Sequence, residues 1–231
     1  MAFETVFVLS DDNAALNELC AGARGLAPQV TAVMFGDEAQ AKSISACGAD
    51  TLIYCPVDDT HAPEDYSAAI AAEIKKHESA LLMVHNSIRG RCLAGKIGVA
   101  LDTSVLTAVG EMALKDGEVV CRRTVYGGTA QREERFKKNY GIVTLPGGVF
   151  EAPETPAEAG KIEKISGEAE TGIRRVAREE KKEGGVNLVA AKRIIDVGRG
   201  LAKEEDLEMC RKLAEVIDAE VGCSRPVAEN N

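Results

Sequence analysis

The sequence predicts an α/β protein: a doubly wound parallel sheet with additional antiparallel strands, followed by the start of a second α/β domain. Short runs of four to six residues, rich in Val, Ile and Leu, alternate with segments that carry apolar residues at helical spacing. The short runs show no strict alternation of apolar and polar residues, which is typical of parallel strands buried on both faces. Repetition of strand and helix favours right-handed crossovers within one sheet.

Four strand–helix pairs account for the first hundred residues. The third helix shows the pattern clearly, because Ile70 and Ile74 lie on one side while Glu73 and Lys75 lie on the other. The predicted strands are Val6–Leu9, Val30–Phe35, Thr51–Cys55 and Ala80–His85, and the helices that follow them are Ala14–Arg24, Glu38–Cys47, Tyr66–Lys76 and Ile88–Leu101.

Beyond Leu101 the pattern changes to strands without helices between them. A hairpin turn is indicated at Lys115-Asp116-Gly117, and Thr124–Thr129 is interpreted as a loop and an edge strand. The strand-like runs are Ser104–Met112, Gly117–Thr124 and Tyr140–Leu145. A charged stretch then ends at Gly184-Gly185, and we place a boundary there between domains 1–184 and 185–231.

The second domain begins with an apolar strand that ends at Val197 and a tight turn, Gly198-Arg199-Gly200. A helix follows with acidic residues in its first turn and basic residues later, an order that complements the helix dipole. Its predicted buried stripe is Leu207, Cys210, Leu213, Ala214 and Ile217. One strand, one helix and a turn cannot bury their own faces, so this part needs more chain or a partner.

Charge and composition exclude several classes of function. A net charge of −9 argues against nucleic acid or an anionic membrane as the main partner, since phosphate binding needs clustered Lys and Arg. The seven cysteines form no CxxC pair, which indicates reduced thiols in the cytoplasm. His61, His77 and His85 lack metal-ligand spacing, and neither a catalytic constellation, a signal peptide nor a membrane-spanning stretch is found.

One motif is a poor match to the chemistry it suggests. Gly90–Lys96 fits the first seven positions of a phosphate-binding P-loop, but Ile97 stands where Ser or Thr would ligate Mg²⁺. Too few residues separate Lys96 from Asp102 for a normal crossover helix. We therefore predict a helix that starts near Ile88, with Leu93, Ile97 and Leu101 on its inward side.

The last forty residues carry a more specific pattern. Ala191–Leu201 holds the strand and the Gly-Arg-Gly turn, a helix follows, and Ala219–Glu229 holds a Gly-Cys-Ser-Arg loop. This spacing closely resembles the start of the FAD-binding domain of electron transfer flavoprotein alpha subunits, the FixB-like family. The Val125–Gly128 element and Leu145–Phe150 resemble the first domain of that family, so the resemblance covers nearly the whole chain.

The resemblance implies an electron carrier subunit rather than an enzyme with catalytic residues of its own. FAD would bind across the second domain, with Gly198, Arg199 and Gly200 at the pyrophosphate and the turn opening directly into the helix. Ser224 and Arg225 would lie beside the isoalloxazine ring. A guanidinium there stabilises negative charge on the ring and raises its reduction potential.

The resemblance also implies partners. A beta subunit would pack on the first domain, which would be adenine-nucleotide-hydrolase-like, and would hold AMP, or a second FAD in electron-bifurcating members. The heterodimer would take electrons from an acyl-CoA dehydrogenase-type flavoenzyme or from NADH. Shuttling between partners needs a hinge, for which Glu179–Gly185 has the composition.

The pattern departs from the family in one respect. Family members continue through Gln-Thr-Gly, Ile-Ser-Gly and Asn-x-Asp elements that these residues lack, so we expect either a fragment or a remainder not included here, with an FAD site that is incomplete in this chain. Loss of a complete flavin site is a third interpretation. Taken without the resemblance, the residues leave two alternatives open, an adenine-nucleotide-binding α/β module without a redox role and, less favoured, a P-loop enzyme.

Overall fold

A computed structural model of the chain describes residues 3–58, 60–169, 176–177, 188, 191–201 and 203–229. Contacts between Cα atoms divide the chain into two units, Met1–Val176 and Ala177–Asn231. The predicted hinge, Glu179–Gly185, and the predicted boundary at residue 184 lie outside the described residues.

The first unit is built around a seven-stranded sheet in which every neighbouring pair of strands is parallel. The strands of this unit, in chain order, are Thr5–Leu9 (β1), Gln29–Phe35 (β2), Thr51–Cys55 (β3), Ala80–His85 (β4), Val105–Leu106 (β5), Glu111–Lys115 (β6), Glu118–Val125 (β7), Ala130–Arg135 (β8), Tyr140–Leu145 (β9) and Lys161–Lys164 (β10). The order across the large sheet is β10-β3-β2-β1-β4-β9-β5, so the chain winds outward from β1 in both directions and the predicted fold class is confirmed.

Four helices connect the strands of the large sheet: Asn13–Arg24 (α1), Glu38–Ser43 (α2), Ser67–Ile74 (α3) and Ile88–Ala100 (α4). Side chains cap three of them at the N-terminus, which explains where each begins. The carboxylate of Asp12 accepts from the amide of Ala14 at 3.0 Å. Asp37 forms a reciprocal capping box with Gln40, and the hydroxyl of Ser87 accepts from the amide of Gly90 at 2.8 Å.

Apolar side chains fill both faces of the large sheet. Along β1, Val6 and Val8 belong to a cluster that includes Leu16 and Leu19 of α1, whereas Phe7 and Leu9 belong to a second cluster with α3 and α4. All five residues of β1 are buried. This two-sided burial is the reason that the apolar runs show no alternation in the sequence.

A separate antiparallel sheet joins β6, β7 and β8. Its first turn, Asp116-Gly117, has positive φ at both residues and confirms the predicted hairpin. The run predicted as one strand, Ser104–Met112, is instead divided between β5 and β6. The break lies at Ala108, which has a φ of 52° and whose amide donates to the hydroxyl of Thr144 at 2.9 Å.

Three other parts of the first unit differ from the prediction. The helix predicted over Glu38–Cys47 ends at Ser43. The turn at Tyr126–Gly128 falls within the loop predicted at Thr124–Thr129, but the edge strand β8 begins only after that range, at Ala130. Strand β10 was not predicted; it is only four residues long, carries three charged side chains and pairs with β3 at the edge of the large sheet.

The described residues of the second unit form one strand–helix–strand motif. Ile194–Val197 (β11) and Glu220–Cys223 (β12) pair in parallel, and Leu207–Ile217 (α5) connects them after a 3₁₀ turn at Glu204–Asp206. A short helix, Arg225–Ala228 (α6), follows β12. The predicted stripe of α5 is only partly buried: Ala214 is buried and Leu207 and Cys210 are half-buried, but Leu213 and Ile217 are exposed.

In the part of the chain that the structure describes, no helix has both the length and the apolar character needed to cross a membrane. The same residues contain no group of three or more His, Cys, Asp or Glu side chains placed to hold a metal ion.

Candidate functional site

The carboxyl ends of β11 and β12 form one edge of the second unit. Val197 is paired with Cys223 in the register of the two strands, and the amide of Ser224 donates to the carbonyl of Val197 at 3.0 Å. The Gly198–Gly200 turn and the Ser224–Arg225 loop therefore leave the sheet side by side, although a whole helix separates them in the sequence. This edge, Gly198–Leu201 with Ser224 and Arg225, is called the glycine edge below.

The glycine turn leaves its backbone open to an approaching group. The amide of Leu201 donates to the carbonyl of Gly198 at 3.1 Å and closes the turn. A Cβ placed on Gly198 or Gly200 would meet no atom within 4 Å, and neither residue has a positive φ. The turn therefore needs no glycine for its own geometry, and the free space above it is what a bulky ligand would use.

The helix after the turn begins later than predicted, because Glu204–Asp206, the expected first turn of that helix, form a 3₁₀ turn instead. Leu201–Lys203 separate the glycine turn from the 3₁₀ turn at Glu204–Asp206, and α5 begins only at Leu207. The first turn of α5 also carries Glu208, and Asp206 precedes it, so carboxylates already complement the positive end of the helix dipole. Any phosphate held at this edge would meet the amides of the turn rather than the N-terminus of α5.

Arg199 lies at the tip of the turn. Its side chain is exposed, and it makes no ion pair or hydrogen bond with any residue that the structure describes. Lys and Arg side chains form charge-assisted hydrogen bonds to phosphate oxygens, and the guanidinium can do so with two parallel N–H groups. Arg199 is thus placed to add a cationic contact beside the open glycine backbone.

Ser224 and Arg225 occupy the other half of the glycine edge. Ser224 precedes α6, and its hydroxyl does not cap that helix. The Nε of Arg225 donates to the carboxylate of Glu229 at 2.6 Å, with 86% of the arginine side chain and 58% of the glutamate side chain exposed. Exposed pairs of this spacing contribute only about 0.3–0.5 kcal/mol, so a ligand can replace the glutamate.

These residues fit one side of a dinucleotide site. Open glycine backbone and an exposed arginine suit a pyrophosphate, and a hydroxyl with a guanidinium suits a polar ring edge. Ligands of open α/β sheets bind outside the carboxyl ends of the strands, which is where the glycine edge lies. The same unit leaves Met209 and Val216 of α5 exposed at 67% and 82%.

The P-loop-like motif of the first unit is not a phosphate site. Gly90–Lys96 lies inside α4, as predicted, and the expected inward residues are buried: Leu93 and Ile97 in the helix and Leu101 at its C-cap. The amine of Lys96 donates to the carbonyl of Glu64 at 2.7 Å.

A carboxylate stands at the N-terminus of α4. The hydroxyl of Ser87 donates to Asp11 at 2.6 Å, so a negative side chain already occupies the position that an anionic ligand would take. The first unit thus presents no open helix N-terminus at this point.

Two features of the first unit were missed by reasoning from the sequence. The Nδ1 atom of His85, at the carboxyl end of β4, is buried without a hydrogen-bond partner among the described residues. Cys20 and Cys47 lie in the same buried cluster, and Cys20 packs against the loop that carries Cys47. No local spacing signals either one, because both depend on how distant segments meet in the fold.

Comparison with known proteins accounts for both units. The electron transfer flavoprotein domain matches residues 6–170, and the electron transfer flavoprotein FAD-binding domain matches residues 187–231. Protein FixB of Salmonella typhimurium is 33% identical over 234 aligned positions, which cover 99% of this chain and 74% of that protein. Protein FixB of Escherichia coli O157:H7 and of Shigella flexneri are each 32% identical with the same coverage. A match of this extent shows that the chain belongs to the alpha-subunit, FixB-like family of electron transfer flavoproteins.

Proposed function

We propose that this chain is the alpha subunit of a heterodimeric electron transfer flavoprotein and that its glycine edge holds part of FAD. The observation that carries the proposal is the juxtaposition of the Gly198–Gly200 turn with Ser224–Arg225 at the carboxyl ends of two parallel strands. Membership of a family of electron carriers, with a match to its FAD-binding domain over this part of the chain, supports the same assignment.

The two halves of the glycine edge are proposed to bind different parts of FAD. The backbone amides at Gly198 and Gly200 are proposed to approach the pyrophosphate, and Arg199 to pair with it. Ser224 and Arg225 are proposed to bind the flavin ring. FAD, when bound, supplies the electron transfer, while the positive charge of Arg225 favours the reduced cofactor and so raises its reduction potential.

The first unit is proposed to dock a beta subunit that holds AMP, or a second FAD if the complex bifurcates electrons. The electron donor is proposed to be an acyl-CoA dehydrogenase-type flavoenzyme or NADH. The domains are proposed to divide between residues 184 and 185, and Glu179–Gly185 is proposed as the hinge that lets the flavin-bearing domain move between electron donor and acceptor. Seven cysteines without a disulfide framework support a cytoplasmic setting.

The alternative function, an adenine-nucleotide-binding module without a redox role, has less support from the first unit. Its switch point lies between β1 and β4, where such a fold binds nucleotides. There the carboxylate of Asp11 bonds to Ser87 at the N-terminus of α4. A fixed negative charge at that position repels a phosphate, so the residues of the first unit favour a docking role over nucleotide binding.

The visible absorption spectrum tests the proposal. The protein is co-purified with the subunit encoded beside it, and its flavin content is measured after protein precipitation. We expect a yellow complex that contains FAD. A colourless complex that takes up no added FAD, but whose melting temperature rises with ATP, would instead support the nucleotide-binding alternative.

A pair of arginine variants tests the site itself. Arg225→Ala is expected to lower the reduction potential or the occupancy of FAD in the complex. Arg211→Ala is the matched control, since Arg211 is an exposed arginine of α5 that lies outside the glycine edge. Equal potentials and occupancies in both variants and the wild type would contradict the role assigned to Arg225.

A further inference from the structure

Two cysteine thiols meet inside the first unit. Cys20 lies in α1, and Cys47 lies in the loop between α2 and β3. Both are buried, with 0% and 3% of their surfaces exposed. The Cβ atom of Cys20 lies 3.7 Å from the position that a Cβ on Gly48 would take, so Cys20 packs against the loop that carries Cys47, and each thiol shifts the pKa of the other.

The surroundings favour negative charge on the sulfur of Cys47. The hydrogen bond from Cys20 lowers the pKa of Cys47 to about 7, and the backbone of Ala49 donates a further hydrogen bond. The same shared bond and burial raise the pKa of Cys20. The pair therefore behaves as one acid, a thiol that donates to a thiolate near neutral pH.

Arg24 contacts the loop that carries Cys47. The Nε of Arg24 donates to the carbonyl of Gly48 at 3.0 Å, and its two terminal nitrogens bind Asp50 at 2.8 and 2.7 Å. The charge of Arg24 also favours the thiolate form of Cys47. Cationic and amide groups around a sulfur favour its thiolate, which is the nucleophilic form.

A cavity of about 520 Å³ reaches Cys47 from outside. One wall is the end of α1, the second is the Cys47–Asp50 loop, and the third is the segment around Ala157–Lys161. The amide of Gly160 donates to the carbonyl of Ser45 at 3.0 Å, which holds the third wall against the loop. Arg24, Asp50, Glu158 and Lys161 are the charged residues that line the cavity.

We propose that Cys20 and Cys47 form a redox-active dithiol, in which Cys47 is the thiolate attacked through the cavity and Cys20 resolves the product to a disulfide. The oxidant is a small hydroperoxide, the class of two-electron oxidant that is compact and uncharged enough to reach a buried sulfur. The thiolate of Cys47 attacks one peroxide oxygen, so that an S–O bond forms and the O–O bond breaks; the other oxygen departs with a proton as water or an alcohol, and Cys47 becomes a sulfenic acid. Cys20 then attacks that sulfur, and the oxygen leaves as water.

The same chain contains its own reference thiols. Burial raises the pKa of Cys55 and of Cys121 to about 12, so neither is ionised at neutral pH. Cys92 is exposed on α4, so its rate of oxidation is a reference for a thiol that is simply open to solvent. A reaction that selects the dithiol must therefore distinguish Cys47 from two thiols that are buried and protonated and from one that is merely exposed.

Mass spectrometry of the protein as purified tests the proposal. The reduced protein is treated with hydrogen peroxide at pH 7, its remaining thiols are blocked, and its peptides are mapped. We expect a peptide pair linked through Cys20 and Cys47, together with Cys47 oxidation at least about tenfold faster than that of Cys55 or Cys121. Oxidation of Cys92 without any linked Cys20–Cys47 pair would overturn the proposal.

Two variants separate the roles of the thiols. In Cys20→Ser, Cys47 is expected to stop at the sulfenic acid, which dimedone captures, while Cys47→Ser should give no dimedone adduct at either position. The pH dependence of Cys47 alkylation in the wild type gives a readout that needs no variant. A midpoint near 9, the ordinary value for a thiol, would show that Cys47 is merely packed and would likewise overturn the proposal.

Discussion

The two units of this protein differ in how completely they bury their apolar side chains. In the first, β1 has all five residues buried and apolar clusters fill both faces of the sheet. In the second, Ile194 of β11 is 48% exposed, and α5 buries Ala214 but leaves Leu213 and Val216 exposed. The first unit buries its apolar strands, whereas the second leaves apolar side chains and the glycine turn exposed at its surface.

The difference follows from the number of layers. A sheet covered by helices on both faces buries a large share of its chain, whereas one helix on two strands has only one packed face. Residues of the first unit are therefore fixed by packing. Residues of the second are fixed mainly by the register of two strands, which leaves their side chains available for a ligand or for further protein.

Matched leucine substitutions in the two units are expected to show the largest difference in the free energy of unfolding. Leu81→Ala removes a fully buried side chain of β4 and is expected to lower the free energy of unfolding by about 2–5 kcal/mol, because a cavity remains. Leu213→Ala truncates a side chain that is 51% exposed and should cost less than about 1 kcal/mol. Urea denaturation followed by circular dichroism measures both; equal costs would mean that the two units are packed alike.

Two glycines of α4 should respond in opposite directions. A Cβ on Gly90 would lie 2.0 Å from the carbonyl oxygen of His85, so Gly90→Ala is expected to cost about 1–3 kcal/mol. A Cβ on Gly95 would meet nothing within 4 Å, so Gly95→Ala is expected to stabilise the helix by about 0.5–1 kcal/mol. Thermal unfolding of the two variants checks the sign, and a loss of stability in Gly95→Ala would argue that this surface of α4 is covered.

Gly200 should separate binding from stability. Its missing Cβ faces open space, so Gly200→Ala should leave the free energy of unfolding unchanged. The added methyl group would obstruct a ligand at the glycine edge, and FAD is expected to bind about fivefold more weakly, or by about 1 kcal/mol. Flavin titration of the complex measures the affinity, with Gly95→Ala as the control. Unchanged affinity would place the pyrophosphate elsewhere.

The smallest effect concerns an acid-sensitive ion pair of the first unit. The hydrogen bond from Arg24 holds the pKa of Asp50 below its ordinary value of 3.8. A depressed pKa contributes stability that is present above 3.8 and is lost as the pH falls through the folded-state value. Because Arg24 and Asp50 are 40% and 51% exposed, the contribution is less than about 1 kcal/mol.

Asp50→Asn isolates that charge. The variant should be slightly less stable than the wild type at pH 7, and the difference should shrink as the pH falls below 3.8. Glu229→Gln, which removes the exposed partner of Arg225 in the second unit, is expected to change nothing measurable. Chemical denaturation across this pH range gives the comparison. A gap between Asp50→Asn and wild type that widens toward low pH would contradict the assignment.

The regular part of the fold could be predicted because its signals are local. The four strand–helix pairs follow from apolar runs and capping residues such as Asp12, Asp37 and Ser87, which act within a few positions in the sequence. The hairpin at Asp116-Gly117 was found for the same reason. Strand β10 could not be found, because its four residues, KIEK, are strand-like only through pairing with β3.

The candidate site was predictable in composition but not in geometry. The Gly-Arg-Gly turn and the Ser-Arg loop were recognised from their spacing, and the strand register then places them side by side. The 3₁₀ conformation of Glu204–Asp206 was not predictable, since these acidic residues suit the first turn of an α-helix equally well. The Cys20–Cys47 pair is similar, because it depends on where the loop after α2 meets α1.

The ends of the large sheet have a consequence for how this protein meets other chains. One end is β5, which has two residues, and the other is β10, whose Lys161 and Glu163 pair across 2.6 Å. Short or charged outer strands offer poor templates for a foreign strand. Self-association by strand addition is thereby discouraged, and a subunit that binds here has reason to do so through helices or the small antiparallel sheet.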